Sequence, residues 1–278
     1  MRVRRPGLVA CCAVLATVVA VGRASSGEAP KLSENSHEAA YAAGLGSHEL
    51  TAVPVARPAP RASCTRVAGV GSARVAYAAL VKQTVIVRRA PSAHAPTLVE
   101  LGRVNQNGFR QVLGVIGVHR SSRCTADWYR VRVPIVQNGA TGWVRVWTVR
   151  TYRVRTRIVI DVSQRRLQLY RSGKLVLTAP VAVGAPGTPT PIGSFYVNER
   201  YVLPNAGGPF GPYALGISAH SDVLKDVWVE DGPIGIHGTN EPWSIGHAAS
   251  HGCVRVLNDV MRRLFPLAPA GTPVAVRA

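Results

Sequence analysis

The sequence predicts a mainly β protein, a small barrel followed by a larger β-rich domain with one minor helix. Three observations carry this. Short β-branched and aromatic runs, such as Thr84-Val85-Ile86-Val87 and Trp128-Tyr129-Arg130-Val131-Arg132-Val133, recur between turn residues through the first half. Arg153, Arg155 and Arg157 alternate with Val154, Thr156 and Ile158, a period of two that belongs to a strand with one basic face. A clear helix signature occurs at one place near the end. There Asn258-Asp259 can cap Val260-Met261-Arg262-Arg263-Leu264-Phe265, and Pro266 is expected to stop it.

The chain opens Met1-Arg2-Val3-Arg4-Arg5, runs without charge from Leu8 to Val21, and reaches Gly22-Arg23-Ala24. This basic, apolar, small-residue order is that of a secretory leader over residues 1–24. A span of the bilayer needs about 20 apolar residues, more than this run offers. An uncleaved anchor is the competing reading. Leu8-Val9-Ala10-Cys11 has the composition of a lipid-attachment box, but the apolar run continues well past Cys11. Residues 25–75 read as an Ala/Pro-rich tether, made extended and semi-rigid by Pro54, Pro58 and Pro60.

Residues 76–150 form the first β domain. After Thr84–Val87 come Gln111-Val112-Leu113-Gly114-Val115 and the Trp128 run. Asn138-Gly139 marks a tight turn, and Gly142-Trp143-Val144-Arg145-Val146 closes the module. Trp128 and Trp143 read as core. Residues 153–278 form the second domain. Ile158–Asp161, Arg166–Tyr170 and Leu175–Val183 read as strands, with Ser172-Gly173-Lys174 as a hairpin turn. The Gly/Pro-punctuated stretch Gly184–Gly193 lacks the Gly-Lys-Ser/Thr ending of a phosphate loop and opens no helix, so it reads as a rigid connection between strands.

Charge is lopsided, with 33 Lys and Arg against 14 Asp and Glu, a formal net charge of +19. Such a surface favours polyanions. For a secreted chain these are anionic cell-envelope polymers, and no nucleic acid partner is expected. The arginines of 153–157 are most simply a solvated strand face.

The chain has five cysteines: Cys11, Cys12, Cys64, Cys124 and Cys253. Leader cleavage after Ala24 would remove the first two. In an oxidising compartment Cys64 and Cys124 are the candidate disulfide, leaving Cys253 as the odd thiol. Cys253 stands in Ser250-His251-Gly252-Cys253-Val254-Arg255, and Ile236-His237-Gly238-Thr239 lies upstream. A cysteine reacts as its thiolate, and an imidazole against the sulfur can take the proton and hold it. His237 is therefore a candidate base and Cys253 a candidate nucleophile. Zinc is the rival chemistry, since His247 and His251 are four apart. The metalloprotease pattern needs Glu at 248, where this chain has Ala248, so no metal is expected. Trp228 and Trp243 flank these segments, as cleft walls or as core.

The run Asp161–Tyr170, the segment Gly184–Gly193, Ile236–Thr239 and Ser250–Arg255 stand in the order of the L,D-transpeptidase family, whose catalytic domain is of the YkuD type. The resemblance covers about Arg153 to Ala278. The pieces at Val85–Pro91, Trp128–Val131 and Gly142–Val144 resemble a bacterial SH3-like domain. Together they imply a small SH3-like barrel followed by a β-rich, YkuD-like catalytic domain. The implied activity is peptidoglycan cross-linking by cysteine acyl transfer, with no cofactor. A donor tetrapeptide stem releases terminal D-alanine, and the amine of a second stem accepts the acyl group.

Carried over by position, Cys253 is the nucleophile, His237 its base, and Gly238 the carbonyl that orients the imidazole. His251 supports the thiolate. Gly252 and Cys253 are expected to offer backbone N–H groups to the oxyanion. Arg255 holds a substrate carboxylate or orders the loop, and Ser250, Thr239 and Tyr213 are expected at the substrate cleft. The alternatives are an inactive peptidoglycan-binding wall protein, or a carboxypeptidase or endopeptidase with water as acceptor. The chain is expected to act as a monomer, secreted across the cytoplasmic membrane and possible to retain there by its leader.

Overall fold

The computed structural model of the protein describes residues 64, 66–224 and 232–278. The leader, most of the tether and Trp228 lie outside the described residues. Among the described residues, no helix is long and apolar enough to cross a membrane.

Eight strands make the first sheet: β1 (Val67–Gly69), β2 (Ala76–Val81), β3 (Val85–Arg88), β4 (Thr97–Leu101), β5 (Val112–Arg120), β6 (Ala126–Arg132), β7 (Thr141–Arg145) and β8 (Val149–Val154). Their order is β4-β3-β7-β6-β5-β2-β8, with β1 also paired to β5. The pairs in this sheet are antiparallel, so one face of each strand is buried. In β3, Val85 and Val87 are buried while Ile86 faces out. Leu113, Val115, Val131, Val144 and Val149 join them in the core, and Trp128 and Trp143 are buried too. The sheet runs on to Val154 because β8 pairs with β2 along its length, past the boundary expected at 150.

The second sheet holds β9 (Thr156–Asp161), β10 (Arg166–Arg171), β11 (Lys174–Pro180), β13 (Gly193–Val202), β14 (Tyr213–His220), β15 (Pro233–His237), β17 (Val254–Arg255) and β18 (Pro273–Arg277). Two short strands, β12 (Val183–Gly184) and β16 (Ala248–Ser250), pair separately. The order is β11-β10-β9-β18-β13-β14-β15-β17. Ser172 and Gly173 both take positive φ, 50° and 83°, which is what the two-residue turn between β10 and β11 requires. The helix α1 (Asn258–Leu267) lays Met261 and Leu264 onto the sheet. These join Ile158, Leu167, Phe195, Leu215, Ile236 and Val274 in a continuous core. Each such side chain contributes roughly 1.5–3 kcal/mol when fully buried.

Two expectations about α1 need correction. Pro266 lies inside the helix, one residue before its end, where the ring costs only a terminal hydrogen bond. The N-cap is Leu257, and it makes no side-chain capping bond. Asn258 is the first helical residue, and its side chain is used elsewhere.

Side chains of the first sheet dock on the second. Asn138, in the predicted turn, accepts from the His220 N–H at 2.9 Å and donates to the His220 carbonyl at 2.7 Å. Asn105 and Asn107 donate to the buried Glu199 carboxylate. The Tyr152 hydroxyl donates to the Ala270 carbonyl at 2.9 Å. A disulfide joins Cys64 to Cys124, with Cα atoms 5.7 Å apart, and ties the start of the described chain to the β5–β6 loop.

Candidate active site

His237 ends β15 and lies beside β17. The parallel register pairs Ile236 with Val254 and His237 with Arg255. Ile236, Val254 and Val256 are fully buried in the core. Since strand side chains alternate, His237 and Arg255 belong to the opposite face, and Cys253 immediately precedes β17. The fold thus sets the histidine's strand beside the one that follows the cysteine, sixteen positions on in the sequence. Cys253 is partly exposed, and among the described residues it is the cysteine outside the disulfide.

The His237 ring is almost wholly buried. Its Nδ1 lies 2.6 Å from the Gly238 carbonyl oxygen. A carbonyl can only accept, so Nδ1 donates and carries the proton. A neutral ring then keeps its lone pair on Nε2. Phe210 packs edge-on against the imidazole, with centroids 4.9 Å apart and planes at 70°. Hydrogen bond and ring contact together fix the tautomer and the orientation.

The loop carrying that carbonyl is held by Asn258. Its Oδ1 accepts the Thr239 N–H at 2.9 Å. The packing leaves no room for a side chain at either neighbouring glycine. A Cβ on Gly238 would fall 2.1 Å from Asn258 Oδ1, and one on Gly211 would meet the same atom at 2.1 Å. Gly211 also has φ +64°, a conformation that favours glycine. Tyr213, next along, accepts the Gly238 N–H at its carbonyl and stacks its ring on Phe265, 4.4 Å between centroids.

The turn that carries Cys253 is equally braced. The Ser250 hydroxyl accepts the Gly252 N–H at 3.2 Å and donates to the Cys253 carbonyl at 2.5 Å. The Gly252 carbonyl accepts from Thr190 Oγ1 at 2.9 Å, and that hydroxyl in turn accepts the Gly184 N–H. Thr188 and Ala185 both donate to the Ser250 carbonyl. The Gly/Pro stretch Gly184–Gly193 is therefore the clasp of the cysteine turn. Gly252 has φ +110°, and a Cβ there would lie 2.8 Å from Ile234 Cδ1.

Three expectations change with this geometry. The Gly252 N–H is already donated to Ser250, so it is not an oxyanion donor in this arrangement. Ser250 and Thr239 are 2% and 4% exposed, and their side chains are bonded to the Cys253 carbonyl and the Glu241 N–H. Arg255 donates from Nη1 to Glu241 at 2.5 Å, which favours loop ordering over capture of a substrate carboxylate. His251 is exposed on the turn. Trp243 is 66% exposed, which removes the core reading for it.

A family model for the L,D-transpeptidase catalytic domain, the YkuD family, matches residues 155–276. YkuD of Bacillus licheniformis is 42% identical over 120 residues, covering 43% of this chain and 64% of that protein. YkuD of Bacillus subtilis is 37% identical over 125 residues, covering 45% of this chain and 68% of that protein. The chain belongs to the L,D-transpeptidase family. L,D-transpeptidase 1 of Mycobacterium tuberculosis is 32% identical over 133 residues, and the chain spans only 49% of its length. The solved catalytic domain of the E. faecium L,D-transpeptidase aligns over 44% of this chain and 96% of its own, at 27% identity and a TM-score of 0.35.

Sequence reasoning missed two residues that brace the candidate site. Asn258 reads locally as a helix cap, and only the tertiary fold shows that it clasps the Thr239 N–H. Phe210 precedes Gly211-Pro212, a turn signal that says nothing about an imidazole contact.

Proposed function

We propose that the protein is a peptidoglycan L,D-transpeptidase with Cys253 as nucleophile and His237 as base. The observation that supports this most is the Nδ1–H donation from His237 to Gly238, which leaves Nε2 as the basic nitrogen, on the strand beside the one that Cys253 precedes. Nε2 takes the thiol proton. The thiolate attacks the carbonyl of the third residue of a tetrapeptide stem, and the C–N bond to terminal D-alanine breaks. The imidazolium returns its proton to the departing amine. A neutral amine of a second stem then attacks the thioester, loses a proton to His237, and restores the thiol.

Phe210 and the burial of His237 keep the ring from turning between these steps. Glu241 holds Arg255, which keeps the segment after Thr239 in place beside the histidine. Its family supports a site of action at the cell wall, outside the cytoplasmic membrane. The first sheet is our candidate SH3-like module, a wall-binding element or spacer.

The test is product analysis with a stem tetrapeptide and a competing amine. The proposal predicts free D-alanine and a cross-linked peptide with the wild type, and neither with Cys253→Ala. Release of D-alanine without cross-link at saturating amine would assign water as the acceptor instead.

A further inference from the structure

Positive charge is concentrated in one part of this basic chain. From Trp128 to Asn198 the sequence holds eleven Lys and Arg and one acid, Asp161. Asp161 does not face out to offset them. Its carboxylate is buried, accepts from Ser163 and Gln164, and pairs with Arg277. Five of the eleven cations, Arg150, Arg153, Arg155, Arg171 and Lys174, are exposed along β8, the link to β9 and the β10–β11 turn. Arg157 is set apart from them, because its guanidinium covers the Tyr170 ring at 4.9 Å.

The fold gathers these five and adds a sixth. β8 is the end strand of the first sheet, and at about 3.3 Å per residue Arg150 and Arg153 stand about 10 Å apart along it. The Arg155 carbonyl accepts the Ser172 N–H at 2.7 Å, which sets the β10–β11 turn against the link that follows β8. Arg171 and Lys174 are register partners on either side of that turn. Arg74, from the segment before β2, lies against it, since a Cβ on Gly173 would be 3.1 Å from Arg74 Cγ. Arg74 is exposed as well. None of the six takes part in an ion pair of the described residues.

A solvated strand face accounts for charge on one strand. It does not account for three separate parts of the chain, before β2, along β8 and at the β10–β11 turn, converging with one sign. Surfaces ordinarily intersperse both signs, and a concentration of one sign raises the local concentration of the opposite charge. We propose that these six residues form a track for a linear polyanion of the cell envelope whose charge is carried by phosphate groups. Guanidinium meets phosphate through two parallel bonds, and five of the six are arginine. An anionic bilayer is the rival occupant, because Leu175 and Val176 beside the turn are 50% and 43% exposed. A bilayer presents a plane, whereas these cations follow a strand at the end of a sheet and then a turn, a line that suits a chain-like ligand. The track goes beyond the catalytic reading and does not depend on it.

The experiment is calorimetric titration of the full chain with long-chain inorganic polyphosphate in about 50 to 200 mM chloride, with phosphatidylglycerol vesicles as a second ligand. Polyphosphate should bind saturably, and the logarithm of the affinity should fall linearly with that of salt, by about 0.7–0.9 per phosphate neutralised. Arg155→Gln/Arg171→Gln should weaken binding at least about tenfold at the lowest salt and make the slope shallower by about 1.5. Arg155→Lys/Arg171→Lys keeps the charge and should keep the slope. Arg262→Gln/Arg263→Gln removes the same charge from exposed positions of α1 and should leave affinity and slope near wild type. Thermal unfolding checks that each variant is folded. Should the glutamine pair fail to fold, Lys174→Gln gives the single-charge version, with about half the change in slope. Acylation of Cys253 by a carbapenem should be unchanged in all of them, so this proposal and the catalytic one fail separately. Polyphosphate binding that never saturates, an equal loss in the α1 pair, or an arginine-dependent affinity for the vesicles alone would overturn the proposal.

Discussion

Gly238→Ala should damage stability and chemistry together. The new methyl would lie 2.1 Å from Asn258 Oδ1, 3.0 Å from Gly211 Cα and 3.2 Å from Pro212 Cδ. Ordinary van der Waals contact begins at about 3.5 Å, so Asn258 must retreat by more than about 1 Å. Gly211 and Pro212 prevent the loop from backing away instead. Overpacking of this kind costs about 1–3 kcal/mol. Losing the Asn258 acceptor leaves the Thr239 N–H buried and unmade, for a further 1–3 kcal/mol or about that. The sum of about 2–6 kcal/mol corresponds to a drop of roughly 4–24 °C in Tm for a folded region of this size. Because the Gly238 carbonyl orients His237, a shift of about 1 Å should slow acylation of Cys253 about a hundredfold. The assay is single-turnover acylation by a carbapenem, followed by intact mass below the lowered Tm. The double variant Gly238→Ala/Asn258→Ala removes the clash, so its loss should be smaller than the sum of the singles by about 1 kcal/mol or more. Wild-type Tm and acylation rate in Gly238→Ala, or strict additivity in the double variant, would refute the clasp.

Other consequences can be measured alongside. Phe210→Ala frees one side of the imidazole and should slow acylation about tenfold, with thermal unfolding showing whether the fold survives. Glu241→Gln breaks a pair whose carboxylate side is 44% exposed, so Tm should move by only a few degrees, since exposed pairs contribute about 0–1 kcal/mol. Removing the Cys64–Cys124 bridge with Cys124→Ser should cost about 2–4 kcal/mol by denaturant unfolding in the absence of reductant. Burial pushes the Tyr152 phenol up to about 12, against about 10 in an unfolded chain. Between those values the folded state binds more protons, so stability present below pH 10 or so is lost as pH rises through about 12. Tyr152→Phe should flatten that alkaline decline, at the cost of its bond to Ala270.

Several strands were legible because they carry their own signal, while β4, β13, β14, β15 and β18 were not read. Val85, Ile86 and Val87 are β-branched throughout, which marks a strand, while the outward turn of Ile86 is set by the fold. His237 and Cys253 were singled out by their glycine-bearing motifs and their order in the chain, and the register of β15 with β17 puts the two segments on neighbouring strands. The second layer of the site was not. Asn258 at a helix start has a local role, capping, and a tertiary role, clasping Thr239, and nothing nearby in sequence says that the second wins. Gly252 likewise offers its N–H to any acceptor, and only the folded turn brings Ser250 Oγ to it. The boundary near 150 was displaced because β8 and β9 form one alternating run, interrupted at Arg155, and pairing partners rather than composition assign each half to its sheet.

The central claim is that Cys253 becomes acylated with His237 as its base. Intact-protein mass spectrometry of the folded, reduced protein with a stem tetrapeptide or a carbapenem tests it directly. The account predicts one adduct on Cys253, absent in Cys253→Ala and formed far more slowly in His237→Ala. A wild-type protein that stays unmodified, or a Cys253→Ala protein that still carries the adduct, would contradict it.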